Sequence, residues 1–396
     1  MTRKMLAGLS LVSLVIIVAL GLWPLGRVAA AQGSGQGVGV PKFRADAAWP
    51  KLPNNWVLGE VSSVAVDRRD HVWVLQRPRT VPAEQRDKAA PPLLVFDAAG
   101  NFIQSFGGPA EGYDWPDNEH AITVDYKDDV WIGGNNPSVG STTTRSDDML
   151  LKFTNKWKLI KQIGTWDQST GNKDTRNVKR AADVFVYPKT NEAFVADGYG
   201  NRRVIVLDAD TLAFKRMWGA FGNTPEDPPP PPPRPVPPAG GAAAPPAAAP
   251  RDREGPGPQQ FGIVHGIKVS NDGLVYVADR GNSRIQVFTL DGKYVTQGFV
   301  NRNDTGALTV AGLAFSPDRQ QQFIYAADQS NSHIHVIRRK TLEVVDTFGK
   351  RSGSPGDFQG LHHIAADSKG NLYTAEAQVG RRTQKLAFTG MSTSTR

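Results

Sequence analysis

The chain has 396 residues, no cysteine and a formal net charge of +8. Without cysteine there are no disulfides, thiolate metal ligands or lipoprotein anchor, so the fold is held by packing alone, for which over 300 residues suffice. The basic residues are scattered rather than gathered in an aromatic-interleaved stretch, so the charge reads as a solvated surface and implies no nucleic-acid partner.

Residues 1–31 open with Arg3 and Lys4, run apolar over 6–22 and end in the small residues Ala29, Ala30 and Ala31. That is the pattern of a secretory signal. The apolar run also approaches the ~20 residues of a bilayer span, so an uncleaved membrane anchor is the other reading. Export without cysteine points to a bacterial envelope, periplasmic or secreted. Residues 32–48 read as a linker.

From residue 49 to 390 one unit recurs six times. Its clearest copy is 264–288, a strand, a turn at Asn271-Asp272-Gly273, a second strand, a polar loop and a third strand. The first strands of the six copies open at Ser62, His120, Ala182, His265, Ala311 and His362. Second strands follow in register around Trp73, Trp131, Phe194, Tyr276, Tyr325 and Tyr373, and fourth strands end at Phe106, Ile163, Trp218 and Phe348. Four strands per copy at roughly 40–50 residues predict an all-β fold, a six-bladed β-propeller. The runs alternate, where a helical solenoid needs apolar residues at i, i+3 and i+4. The sixth copy stops near Phe388 without a fourth strand. Trp56-Val57-Leu58-Gly59 is expected to supply it, pairing into the last blade and closing the ring without an open edge. Residues 225–258, with prolines at 228–233, cannot pack a core and are expected as a disordered insertion between blades three and four.

In a propeller the first strand of each blade lines the central channel. Its start and the loop between strands two and three share one face. Histidine opens the first strand in blades two, four and six, and a small residue opens it in one, three and five. There are only seven histidines in the chain, so composition alone does not explain this register. Alternate blades are related by three-fold symmetry, so His120, His265 and His362 converge on the axis. Three imidazoles with an open fourth position describe a catalytic zinc site. The bland alternative is that they cap the channel through water. His363 alternates away from the axis, His71 lies in a turn, and His333 and His335 lie on a third strand of blade five. These four read as non-ligands.

The same face carries Arg77, Tyr199 and Arg280. Tyr199 is placed for proton transfer, and Arg77 or Arg280 for holding a carboxylate. Asp279, Asn282, Arg284 and Arg203 recur at turn positions and read as structural.

These residues resemble a family. The copies look like NHL repeats, and residues 49–388 resemble peptidyl-α-hydroxyglycine α-amidating lyase. Asp197-Gly198-Tyr199-Gly200-Asn201-Arg202-Arg203 resembles the family segment that holds its catalytic tyrosine, and Ala278-Asp279-Arg280-Gly281-Asn282-Ser283-Arg284 resembles the segment that holds a site arginine. The resemblance implies zinc at His120, His265 and His362, with Tyr199, Arg77 and Arg280 catalytic, and release of an amide and glyoxylate from an α-hydroxyglycine-like group on a peptide or small molecule. The family's structural calcium uses an aspartate where this chain has His363. Its disulfide cysteines and its copper monooxygenase partner domain are absent from this sequence. Two other readings stand beside the lyase. One is a non-catalytic NHL propeller that binds a protein or ligand in the envelope. The other is a lactonase-type hydrolase, whose calcium site would need carboxylates and asparagines where the channel here has histidines.

Overall fold

The protein is described by a computed structural model over residues 39–137, 143–227, 254–304 and 309–392. The expected signal segment and residues 228–253 of the proline-rich insertion lie outside the described residues. Among the described residues, six antiparallel four-stranded sheets follow one another along the chain. The first five blades take their strands consecutively, over residues 60–106, 119–164, 183–218, 264–299 and 313–348. The fold is a six-bladed β-propeller.

Ring closure differs from expectation in its strand. The sixth blade combines Leu361–Ala366, Leu372–Glu376 and Arg382–Ser392 with Val40–Asp46 as its outer strand. Residues 56–59 form no strand. Val57 makes only an isolated bridge to Ala89, and Trp56 packs edge-on against Phe102 of blade one. The propeller therefore begins at residue 40, inside the stretch read as linker. Phe43 explains the choice: it stacks on Phe348 and meets Tyr325 edge-on, so the closing strand also clips blade six to blade five.

Six apolar clusters, one at each blade-to-blade contact, form the core. The cluster of Val61, Leu94, Tyr373 and Ala375 joins the last blade to the first. Second and third strands are sandwiched between neighbouring blades. Val72–Arg77, Glu192–Asp197 and Phe323–Asp328 are consequently buried along their whole length, without the alternation of a half-exposed sheet. Outer strands such as Phe102–Phe106 are part exposed.

The turns between first and second strands explain the recurring aspartates. Asp67 Oδ1 accepts the backbone N–H of Arg69 and His71, and its Oδ2 accepts Trp73 Nε1–H at 3.1 Å. Asp125 repeats this with Lys127, Asp129 and Trp131. Asp367 repeats it with Lys369, Asn371 and the Tyr373 hydroxyl. One carboxylate thus fixes the turn and the buried aromatic that starts the second strand.

The loops between strands two and three rest on buried ion pairs. Arg203 donates to Asp197 at 2.8 Å and Arg284 to Asp279 at 2.8 Å, all four side chains being fully buried. Arg203 also donates to the carbonyls of Asn172, Asp174 and Asn177, so it staples the preceding loop. The structural reading of Asp279, Asn282, Arg284 and Arg203 agrees with these contacts. Removing one partner of such a pair leaves the other buried and uncompensated, which costs about 3–5 kcal/mol. Arg203→Ala is therefore expected to lower unfolding free energy by that amount in urea. Lys42→Ala, which loses only the half-exposed pair with Asp346, is expected to cost under about 1 kcal/mol. Equal urea midpoints for the two variants would contradict the assignment.

Candidate metal centre

The first strands of blades one, two, four and six each carry a β-bulge, and the extra residue is the opening one: Ser62, His120, His265 or His362. A bulge re-aims the side chain it adds. Here it turns three imidazoles onto the axis, with ring centroids 4.8–5.0 Å apart. Each Nδ1–H donates to the carbonyl of the small residue that opens the next blade: His120 to Ala182 at 3.0 Å, His265 to Ala311 at 2.9 Å and His362 to Ser62 at 2.6 Å. Histidine and small residue thus form three hydrogen-bonded pairs around the axis, each between one blade and the next. These pairs fix the Nδ1–H tautomer and aim the Nε2 lone pairs inward.

Tyr199 sits above the three imidazoles. Its Oη is 3.0 Å from Nε2 of both His120 and His265. A phenol has one proton to donate, so it serves one of the two. His265 Nε2 is also 2.9 Å from Arg280 Nη1, which lies 3.2 Å from Tyr199 Oη and 3.2 Å from Gln329 Oε1. Gly198 makes the approach possible. A Cβ there would lie 2.0 Å from the carbonyl oxygen of Val264, the residue before His265. Sequence reasoning missed two neighbours. Arg180 donates to the Tyr199 carbonyl at 2.7 Å, and Gln329 orients Arg280. Their signal was register, since Arg180 lies two residues before the opening Ala182 and Gln329 directly follows the loop aspartate Asp328.

Arg77 is close but already engaged. It donates to Glu60 Oε2 at 2.6 Å and to the carbonyl of Glu119 at 2.9 Å, which braces the strand at the residue before His120. Arg280 keeps more freedom, because its Nη2 makes no hydrogen bond among the described residues.

His363 departs from expectation. Its ring centroid lies 4.9 Å from that of His362 and 5.2 Å from that of His265. One ring nitrogen from each of His120, His265, His362 and His363 falls within 4.8 Å of the others. Strict alternation placed His363 off the axis, and the bulge at His362 breaks that alternation. His71 is held by its turn aspartate, Asp67. His335 is held by Asp328 and Thr347. His333 lies beside that pair, away from the axis.

Burial, with neighbouring positive and histidine groups behind it, holds His120, His265 and His362 well below the ordinary histidine range. Burial likewise pushes His363 down to about 4. The folded state keeps these rings neutral, while the unfolded chain protonates them near pH 6.5. The sign follows: metal-free protein has its full stability from these groups above about pH 6.5 and loses it as pH falls. Buried carboxyls oppose them: burial lifts Asp147 to about 7 and raises Glu119, Asp125, Asp148, Asp279 and Glu376 as well. The four histidines make stability fall as pH drops through 6.5, and the raised carboxyls reduce the size of that loss. Urea titrations of chelator-treated protein at pH 7.5, 6.5 and 5.5 check this, and a flat profile would mean that the rings are solvated in the fold.

The comparisons follow this geometry. The NHL repeat model matches residues 261–288, in blade four. The chain is 27% identical over 251 residues to NHL repeat-containing protein 3 of Homo sapiens, covering 63% of this chain and 57% of that protein. It is 24% identical over 358 residues to peptidyl-glycine alpha-amidating monooxygenase B of Xenopus laevis, covering 84% of this chain and 34% of that one. It is 24% identical over 245 residues to a probable peptidyl-alpha-hydroxyglycine alpha-amidating lyase of Caenorhabditis elegans, covering 59% and 56%. The chain spans less than three fifths of the length of each of these relatives. With the histidine ring and Tyr199 in place, this chain carries an NHL repeat within a six-bladed β-propeller and resembles the peptidyl-α-hydroxyglycine α-amidating lyases.

Proposed function

We propose that the chain is an exported zinc-dependent lyase that cleaves the C–N bond of an α-hydroxyglycine-type carbinolamide to an amide and glyoxylate. The observation that carries this reading is the convergence of three Nδ1-anchored imidazoles under the Tyr199 hydroxyl, with Arg280 beside it. The donor set fits zinc: three neutral nitrogens, each with a carbonyl fixing its orientation. Zinc bound there supplies a Lewis acid for the substrate hydroxyl. Tyr199, with Arg280 beside it, takes the hydroxyl proton as general base. The C–O bond then becomes a carbonyl as the C–N bond breaks, and Tyr199 returns the proton to the departing amide nitrogen. Arg280 Nη2 holds the carboxylate that leaves in glyoxylate. Arg77 acts in this reading by bracing the His120 strand and adding positive charge. A cavity of about 490 Å³ lined by Arg79, Trp115 and Trp166 adjoins Glu119 and receives the acyl part of the substrate.

Calcium has no place in this reading. The residue after His362 is an imidazole, and nearby Asp183 is already bonded to Lys268 at 2.7 Å, whereas calcium needs six to eight oxygens. Export rests on the sequence of residues 1–31. Among the described residues, no helix is long and apolar enough to cross a membrane.

The test is glyoxylate release from an α-hydroxyglycine peptide by the zinc-loaded chain, with Tyr199→Phe beside it. Release by the wild type and its loss in the variant support the lyase. Absence of release from zinc-loaded wild type favours the second reading, a binding propeller. The similarity to a protein known by its NHL repeats keeps that reading in view.

A further inference from the structure

We infer that His363 supplies a fourth imidazole nitrogen to the metal, from the side of the channel opposite Tyr199. The inference rests on reading His120, His265 and His362 as metal ligands and adds a residue to that set.

The position follows from the strand. His362 is the bulged residue at the mouth of Leu361–Ala366, and His363 is one residue deeper. Tyr199 and Arg280 approach the imidazole ring from the loop face. His363 lines the other end of the channel with Thr123, Phe185, Lys268 and Ile364. Two layers therefore bracket the three histidines, a phenol and guanidinium above and an imidazole below.

The chemistry follows from what His363 lacks. Its Nε2 is buried and has no hydrogen-bond partner. A buried polar atom left without a partner costs about 1–3 kcal/mol, so it calls for an explanation. Asp183 lines the same end of the channel, but Lys268 Nζ and the Ile267 N–H already donate to its Oδ2, and the Val184 N–H to its Oδ1. Gly312, at the equivalent register in blade five, removes the obstruction: a Cβ there would lie 2.9 Å from His363 Cα. With Nε2 unpartnered and one ring nitrogen of His363 within 4.8 Å of one from each of the three inward-facing imidazoles, a metal is the fitting partner of this ring. Four neutral nitrogens select zinc or a similar transition ion over calcium or magnesium. Zinc accepts a fifth ligand, so the Tyr199 side remains open to substrate.

X-ray absorption on the zinc-loaded full chain counts the imidazoles directly. Four are expected in the wild type and three in His363→Ala. A chelator competition should show zinc affinity in that variant reduced by at least the ~10–100-fold that loss of a supporting residue costs. His363→Gln, closer in volume, repeats the measurement should the alanine variant not fold. Three imidazoles in the wild type, or the same count and affinity in both proteins, overturns the assignment and leaves the three-histidine site standing. No zinc in the wild type overturns the metal reading itself.

Discussion

His265→Ala is expected to weaken zinc binding a few hundred-fold or more, so that under a competing chelator it gives up the roughly one zinc per chain that the wild type keeps. The size of the effect comes from sharing. A zinc site worth roughly 10–16 kcal/mol over its ligands loses about 3 kcal/mol or more with one of them, a few hundred-fold in affinity. The true loss is larger here because His265 makes other contacts. Its Nδ1–H satisfies the Ala311 carbonyl, and its Nε2 lies 3.0 Å from Tyr199 Oη and 2.9 Å from Arg280 Nη1. Alanine removes one of the two imidazoles under Tyr199 and leaves Arg280 only Tyr199 and Gln329. Elemental analysis of protein purified without chelator, incubated with zinc and then dialysed against that competing chelator, is the measurement. Zinc retained by the variant would remove His265 from the ligand set. Zinc in neither protein after desalting alone would leave the histidines as channel lining, and the lyase reading would fall with them.

The propeller and the histidine ring were legible because both are properties of register. Six copies of one unit can be aligned without knowing the backbone, and a three-fold pattern at one position needs only that alignment. Tyr199 and Arg280 were legible for the same reason, since equivalent loops meet on one face. What escaped depends on local departures from the unit. His363 was assigned by alternation, and a single bulged residue reverses alternation from that point on. The closing strand escaped because an outer strand has little to bury. Val40–Asp46 keeps Lys42 and Arg44 exposed, and its one large anchor, Phe43, packs against blade five. Trp56 and Val57 look more like a strand, yet the aromatic meets Phe102 from a loop. Arg77 was found at the right place but with its guanidinium already bonded, because Glu60 lies opposite it across a bulged pair and no sequence pattern reports that.

Tyr199→Phe is expected to abolish turnover while zinc remains. The phenol contributes nothing to the anchoring of the histidines, whose Nδ1–H groups are held by backbone carbonyls. Phenylalanine fills the same space and keeps the edge-on contacts with His120 and His265, whose centroids lie 4.8 and 5.4 Å away. Arg180 holds the residue by its backbone carbonyl, so the loop does not depend on the hydroxyl. The lost function is therefore proton transfer, worth about 10²–10⁴-fold. Arg280 loses one partner but keeps Gln329. Substrate affinity should thus change little, and the defect should fall on kcat rather than on KM. An Arg280→Lys variant separates the two roles, since lysine keeps a charge but not the fork that grips a carboxylate. Its defect should fall mainly on KM. Full turnover in Tyr199→Phe with zinc bound would end this mechanism, whatever the metal content shows.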